Sequence, residues 1–292
     1  MKTKIAGFGY HEVTTPDGVR LNVAVGGSGS PVVLLHGFPQ THLMWRHVAA
    51  DLAADHTVIC PDLRGYGDSG KPADTDGETY SKRTMAADAV AVAREFGFDR
   101  FALAGHDRGA LVAFRAGLDH PGAISHLAML DVLPILDTWA AMKGREAAVG
   151  FHLYLMAQRP GLAEQLIAGA PDAFFGYFLD LWGRDPEAIP AEVRAEYLAA
   201  SRGAIDSIVA DYRASANIDV EHDLADREAG RRLEMPVTVL QEDWGAAMGF
   251  DGAALWRAWA PDLEHVMMSS GHFMAEEAPT QVVKALRALL AR

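Results

Sequence analysis

The sequence predicts an α/β fold, with a mostly parallel central sheet, helices on both faces and an inserted helical cap. Short apolar runs alternate with stretches of helical spacing along the first part of the chain. A long internal stretch then keeps helical spacing, with proline breaks and no strand run, before the alternation returns. Short buried strands joined by helices are what a parallel sheet covered on both faces requires.

The elements follow in order. Residues 31–36 (PVVLLH) read as a buried strand ending in a Gly-Phe-Pro turn. Residues 42–54 carry Leu43, Val48, Leu52 and Ala53 at helical spacing, and TVIC at 57–60 is the next strand. A glycine-rich loop at 61–72 leads to an alanine-rich helix over 79–97, a strand at 101–105, a helix at 109–119 and a strand at 124–130. Residues 132–225 are helical with breaks at Pro160, Pro171, Pro186 and Pro190. Strand pattern resumes at 235–241, followed by a helix near 252–260, a strand near 263–268 and a helix near 276–291. The expected organisation is a core of residues 1–131 and 226–292, with residues 132–225 as the cap. Ligands of such sheets bind at the carboxyl ends of the strands, where a cap would exclude water.

Composition narrows the partners. The chain has 292 residues, a formal charge of −13 and no block of basic residues, so nucleic acid and anionic membrane surfaces are poor partners. Cys60 is the single cysteine, which excludes an intrachain disulfide; it ends an apolar run and reads as a buried strand residue. No apolar run approaches the ~20 residues of a membrane span, and the N-terminus has lysines without an apolar segment after them. A cytoplasmic protein acting on a small molecule and water is expected. A second copy of the chain, as a homodimer, is the one protein partner left open. His42, His47 and His56 lack metal-ligand spacing and there is no P-loop, so no metal or organic cofactor is expected.

Gly105-His106-Asp107-Arg108-Gly109 stands between a predicted strand and a predicted helix. The form Gly-x-nucleophile-x-Gly allows a sharp turn that lifts the central side chain above the sheet. The backbone N–H after it, at Arg108, then faces the reaction centre. A bare helix N-cap is the alternative for Asp107. Against that alternative, the companion parts occur in order. His36-Gly37-Phe38-Pro39 follows the earlier strand, where a second oxyanion-hole N–H (Phe38) belongs; Asp131 ends the strand after the nucleophile's helix; Gly271-His272-Phe273 follows the last strand.

With these residues in place the chain resembles the α/β-hydrolase superfamily, and within it the fluoroacetate (haloacetate) dehalogenases. Haloalkane dehalogenases and epoxide hydrolases are more distant relatives. The resemblance rests on HGFPQTHLMW (36–45), GHDRGA (105–110), LDVLP (130–134), DYRA (211–214) with VEHD (220–223), and SGHF (270–273). It implies that Asp107 attacks an sp³ carbon, displaces a leaving group and forms an alkyl ester, which His272 then hydrolyses with water. Asp131 would orient His272. Many relatives place this acid after the later strand, which here falls near Gly245 with Asp243 two residues before it; Asp131 is preferred. The oxyanion would rest on the N–H groups of Phe38 and Arg108.

Haloacetate dehalogenases hold the substrate carboxylate with two arginines, and Arg108 matches the first. The second position is Leu111, which cannot pair with a carboxylate; Arg115, a turn further on, reads as structural. The halide pocket of those enzymes maps onto His152, Leu153 in place of a tryptophan, Trp182 and Tyr212. Imidazole, indole and phenol donors can solvate a leaving halide. Epoxide hydrolases use two cap tyrosines instead, of which Tyr212 could be one; the position of the other falls at Leu153, with Tyr154 adjacent. The leading expectation is therefore a hydrolytic dehalogenase of small organohalogens, weak on fluoroacetate because of Leu111 and Leu153. The alternatives are an epoxide hydrolase and a non-catalytic fold that binds a small ligand.

Overall fold

The computed structural model describes residues 2–243 and 249–292. Its sheet has eight strands: β1 (Gly9–Thr14), β2 (Arg20–Gly27), β3 (Ser30–Leu35), β4 (His56–Pro61), β5 (Phe101–His106), β6 (Ile124–Leu130), β7 (Val237–Gln241) and β8 (Leu263–Met267). Their order is β1-β2-β4-β3-β5-β6-β7-β8. β3 through β8 pair in parallel, and β1 and β2 pair antiparallel at one edge. The fold is of the α/β-hydrolase type.

The parallel strands are apolar at nearly every position because both faces are covered. Along β3, Val33 and Leu35 face one hydrophobic core, which includes Met85, Val112 and Phe114; Val32 and Leu34 face the other, with Val48, Leu52 and Leu286. The first face is covered by α2 (Lys82–Glu95) and α3 (Arg108–Asp119). The second is covered by α1 (Arg46–Leu52) and the last helix.

The segment between β6 and β7 is all helical: α4 (Ile135–Ala141), α5 (Phe151–Met156), α6 (Leu162–Gly169), α7 (Pro171–Leu181), α8 (Ala191–Arg202), α9 (Ile205–Ala216) and α10 (Ile218–Glu228). After β7 come α11 (Gly252–Arg257), β8, α12 (Met274–Glu277) and α13 (Pro279–Leu290). Among the described residues no helix is long and apolar enough to cross a membrane.

Two elements differ from the sequence expectation. The β1–β2 hairpin was not anticipated, although Leu21, Val23 and Val25 alternate after the Pro16-Asp17-Gly18 turn. The C-terminal helix is divided between Ala278 and Pro279. Pro279 lacks an N–H and opens a new helix at its first turn.

Charge as well as apolar packing joins the helical segment to the sheet's helices. Asp211 of α9 accepts from Lys82 of α2, from Arg108 of α3 at 2.8 Å and from the Tyr66 hydroxyl at 2.6 Å. Arg115 of α3 is buried and pairs with Asp223 and Asp226 of α10, so it is the structural residue that its position suggested. Removing one side of a buried ion pair costs about 3–5 kcal/mol, because the partner is left unpaired. Arg115→Met is therefore expected to lower the free energy of unfolding by about that amount, read as a lower urea midpoint. Burial already pushes the Asp223 carboxyl up to about 7. Without Arg115 it is raised further above its unfolded value, so the deficit should be larger at pH 8 than at pH 6. An equal deficit at both would mean that Asp223 does not change its charge between pH 6 and pH 8 in either protein.

Candidate active site

Five chain segments converge at the carboxyl edge of the sheet. The parallel ladder runs one residue past the strands: the Asp107 N–H donates to the Leu130 carbonyl at 3.0 Å, and the Asp131 N–H to the Leu240 carbonyl at 2.8 Å. Both aspartates then turn sharply, with φ of +49° and +52°, the only non-glycine positive values among the described residues. Such backbone is costly for a residue with a Cβ and persists only where the surroundings enforce it. At Asp107 the surroundings are glycines. A Cβ on Gly37 would lie 2.6 Å from the Asp107 Cβ, and one on Gly105 would lie 2.2 Å from the Gly109 carbonyl.

This turn sets the Asp107 carboxylate against two backbone donors. The Phe38 N–H donates to Oδ1 at 2.8 Å, and the Arg108 N–H favours the charged carboxylate from the start of the helix. Burial raises the Asp107 pKa, while the charges of His272 and Arg108 and the two N–H groups act against that rise.

His272 lies on the loop after β8. Its Nδ1 is 2.6 Å from Asp131 Oδ2, and its Nε2 is buried with no hydrogen-bond partner. Asp131 Oδ1 accepts the Glu242 N–H at 3.0 Å. Burial disfavours the imidazolium, but the Asp131 hydrogen bond and charge, with Asp107 and Glu242, outweigh it and raise the His272 pKa. Asp243 is exposed and is not the partner of His272; Gly245 lies outside the described residues. Asp131, Glu242 and His272 bring one ligand atom each within 4.8 Å of one another. A metal there would have to break the 2.6 Å bond between His272 and Asp131.

The His272 loop is held from two sides. His106 Nε2 donates to the His272 carbonyl at 2.8 Å, and the His272 N–H donates to the Trp182 carbonyl of the helical segment at 2.9 Å.

Asp107, Asp131 and His272 line a cavity of about 420 Å³, together with Arg108, Leu111, His152, Leu153, Trp182 and Tyr212. All the residues singled out from sequence for the substrate side thus reach one space. The rings of His152, Trp182 and Tyr212 gather around Phe38: His152 is 5.1 Å from Trp182 and 5.5 Å from Tyr212, centroid to centroid. The Tyr212 hydroxyl and His152 Nδ1 are buried without partners. Burial, with Arg108 and His272 nearby, pushes the His152 pKa down to about 3, so the ring is neutral.

Arg108 differs from the expectation of a free carboxylate anchor. Its Nε and Nη2 donate to Asp211, and Nη2 also donates to Ser215 Oγ at 2.6 Å. Its guanidinium carbon sits 4.0 Å from the Tyr212 ring centroid. Tyr154 turns away from its proposed place as a second acid and donates to the Met142 carbonyl at 2.6 Å. Sequence reading named the segments holding Asp211 and Glu242 but gave neither residue a part. It also passed over the apolar lining Val132, Leu133, Ile135, Trp139, Met142 and Val149. The first of these follow Asp131 directly, which was the available signal.

The α/β-hydrolase fold family model matches residues 30–151. A fluoroacetate dehalogenase from Burkholderia sp. is 36% identical over 280 residues, spanning 93% of this chain and 90% of that protein. A soluble epoxide hydrolase from Corynebacterium sp. (strain C12) is 32% identical over 281 residues, 94% of each chain. The solved structure of a protein from Nostoc sp. PCC 7120 superposes with a TM-score of 0.94 at 37% identity, covering 99% of this chain and 100% of that one. By whole-length similarity, fold and arrangement of the strand-end residues, the chain belongs to the α/β-hydrolase superfamily.

Proposed function

We propose that this hydrolase cleaves carbon–halogen bonds through an alkyl ester on Asp107. One observation carries the reading: a buried carboxylate with one oxygen held by the Phe38 N–H shares a cavity with an imidazole that is fixed by Asp131 and unpaired at Nε2. A carboxylate attacking an acyl carbon would only form an anhydride. Attack on an sp³ carbon displaces a leaving group and gives an ester that water can cleave.

The free oxygen of Asp107 forms the new C–O bond as the carbon–halogen bond breaks, and the halide departs with the bonding pair. Unpaired donors at Tyr212 and His152, with the Trp182 indole beside them, offer it solvation in a dry site. His152 supplies only one N–H because it is neutral. His272 Nε2 next takes a proton from water, and the resulting hydroxide adds to the Asp107 carboxyl carbon. The oxyanion rests on the Phe38 and Arg108 N–H groups. Collapse breaks the ester C–O bond; the alcohol leaves with the proton of the added hydroxyl, Asp107 is again a carboxylate, and the proton on His272, stabilised meanwhile by Asp131 through Nδ1, passes to solvent with the halide.

The Tyr212 hydroxyl also favours a second reading. It is unpaired and its pKa is raised well above 10, chiefly by burial, so it stays protonated and could donate to an opening epoxide oxygen. Halide release from a halogenated panel against diol formation from an epoxide panel separates the two.

His272→Asn should still alkylate but lose hydrolysis by about 10²–10⁴-fold, the usual contribution of a general base. Intact-protein mass spectrometry should find the accumulated adduct on Asp107. An adduct elsewhere, or sustained turnover with none, defeats the scheme.

The hydrolytic step needs neutral His272. Its pKa in the free enzyme is raised above 6.5 by Asp131, Asp107 and Glu242, so single-turnover ester hydrolysis should rise with pH and fall away on the acid side. In the ester the Asp107 charge is gone, so this midpoint should lie below that of the free enzyme. A hydrolysis rate flat between pH 5 and 8 would exclude His272 as the base.

A further inference from the structure

Resting on the reading of this cavity as the substrate site, we infer that it selects neutral substrates with an apolar body and discriminates against small carboxylates such as the haloacetates. A charge balance fixed by burial sets this selectivity. Arg108 is the cation at the cavity wall among the described residues, and its charge is met by the Asp211 carboxylate through two hydrogen bonds at 2.8 and 3.1 Å, with a third to the Asp211 backbone carbonyl at 3.0 Å. Lys82, which also pairs with Asp211, lies 3.7 Å from Asp219. Two cations therefore stand against two carboxylates behind the wall. At the reacting end, Asp107 and Asp131 face one imidazole, His272. Even with His272 protonated, the set holds three positive groups and four negative ones. Glu242 adds a further acid, offset by the exposed Arg184 at 3.2 Å.

An anionic substrate would be brought beside the Asp107 carboxylate with no uncompensated cation among the described residues to hold it. In a buried site that repulsion is weakly screened. Leu111, at the position one helical turn along from Arg108, offers no second charge. One guanidinium nitrogen, Nη1, has no protein acceptor among the described residues, so a neutral carbonyl or ether oxygen on the substrate can still be oriented without a net charge.

Size points the same way. About 420 Å³ is within the range that takes drug-sized molecules, far more than a haloacetate of about five non-hydrogen atoms would fill. Much of the rest is walled by Leu133, Ile135, Met142 and Leu153, which reward an alkyl or aryl substituent on the reacting carbon.

The test uses an unreactive pair that differs in charge but hardly in shape, hexanamide and hexanoate, titrated by calorimetry into the intact enzyme at pH 7.5. Hexanamide should bind roughly ten-fold or more tightly, the scale of one charge-assisted contact. The same order should hold in the specificity constants for bromoacetamide over bromoacetate. Leu111→Arg should narrow or reverse both ratios. Equal or tighter binding of hexanoate overturns the inference, as does failure of both ligands to bind at millimolar concentration. Because the binding pair needs no chemistry, selective binding of hexanamide without halide release from any substrate would sink the dehalogenase reading and leave the charge selectivity standing.

Discussion

Everything at this site depends on one left-handed residue at the end of a parallel strand. Asp107 can hold φ at +49° because Gly37, Gly105 and Gly109 leave room for the crossing backbones. The ladder from β5 to β6 anchors its N–H. That conformation makes the Phe38 and Arg108 N–H groups meet the carboxylate rather than solvent. A relaxed turn would leave an ordinary helix-capping aspartate. The strain is thus tied to placing a buried carboxylate where one of its oxygens is already held by a backbone N–H.

The second constraint is the repetition of this turn at Asp131. Adjacent parallel strands end in register, so two aspartates with left-handed backbone stand side by side. One is aimed at the cavity. The other is turned to His272 and braced by the Glu242 N–H. Two carboxylates of the same type thereby acquire different work from their partners alone: the first has N–H donors on one oxygen, and the second has an imidazole.

The helical segment supplies much of the cavity wall that faces them. It supplies neutral donors at His152 and Tyr212 and a carboxylate, Asp211, that offsets the charge of Arg108. It also holds the His272 loop, through the Trp182 carbonyl on the His272 N–H. The cavity lining and the position of the imidazole are consequently coupled through the packing of one inserted segment on the sheet.

Much of this was legible in the chain itself. Alternating apolar runs and the proline-broken interval determined the α/β architecture, because burial on two faces leaves a direct imprint on composition. The Gly-x-Asp-x-Gly pattern at 105–109 marked the sharp turn at Asp107, since only glycines fit the crossing backbones around it. The order of Asp107, Asp131 and His272 suggested their association, whereas preferring Asp131 to Asp243 needed the resemblance as well. Tertiary structure decided what local pattern cannot encode. Asp211 lies 103 residues from Arg108, and the pairing exists only because α9 docks on α3. A guanidinium looks the same in sequence whether it is free or compensated. Its availability to a substrate is set by which carboxylate the fold buries against it.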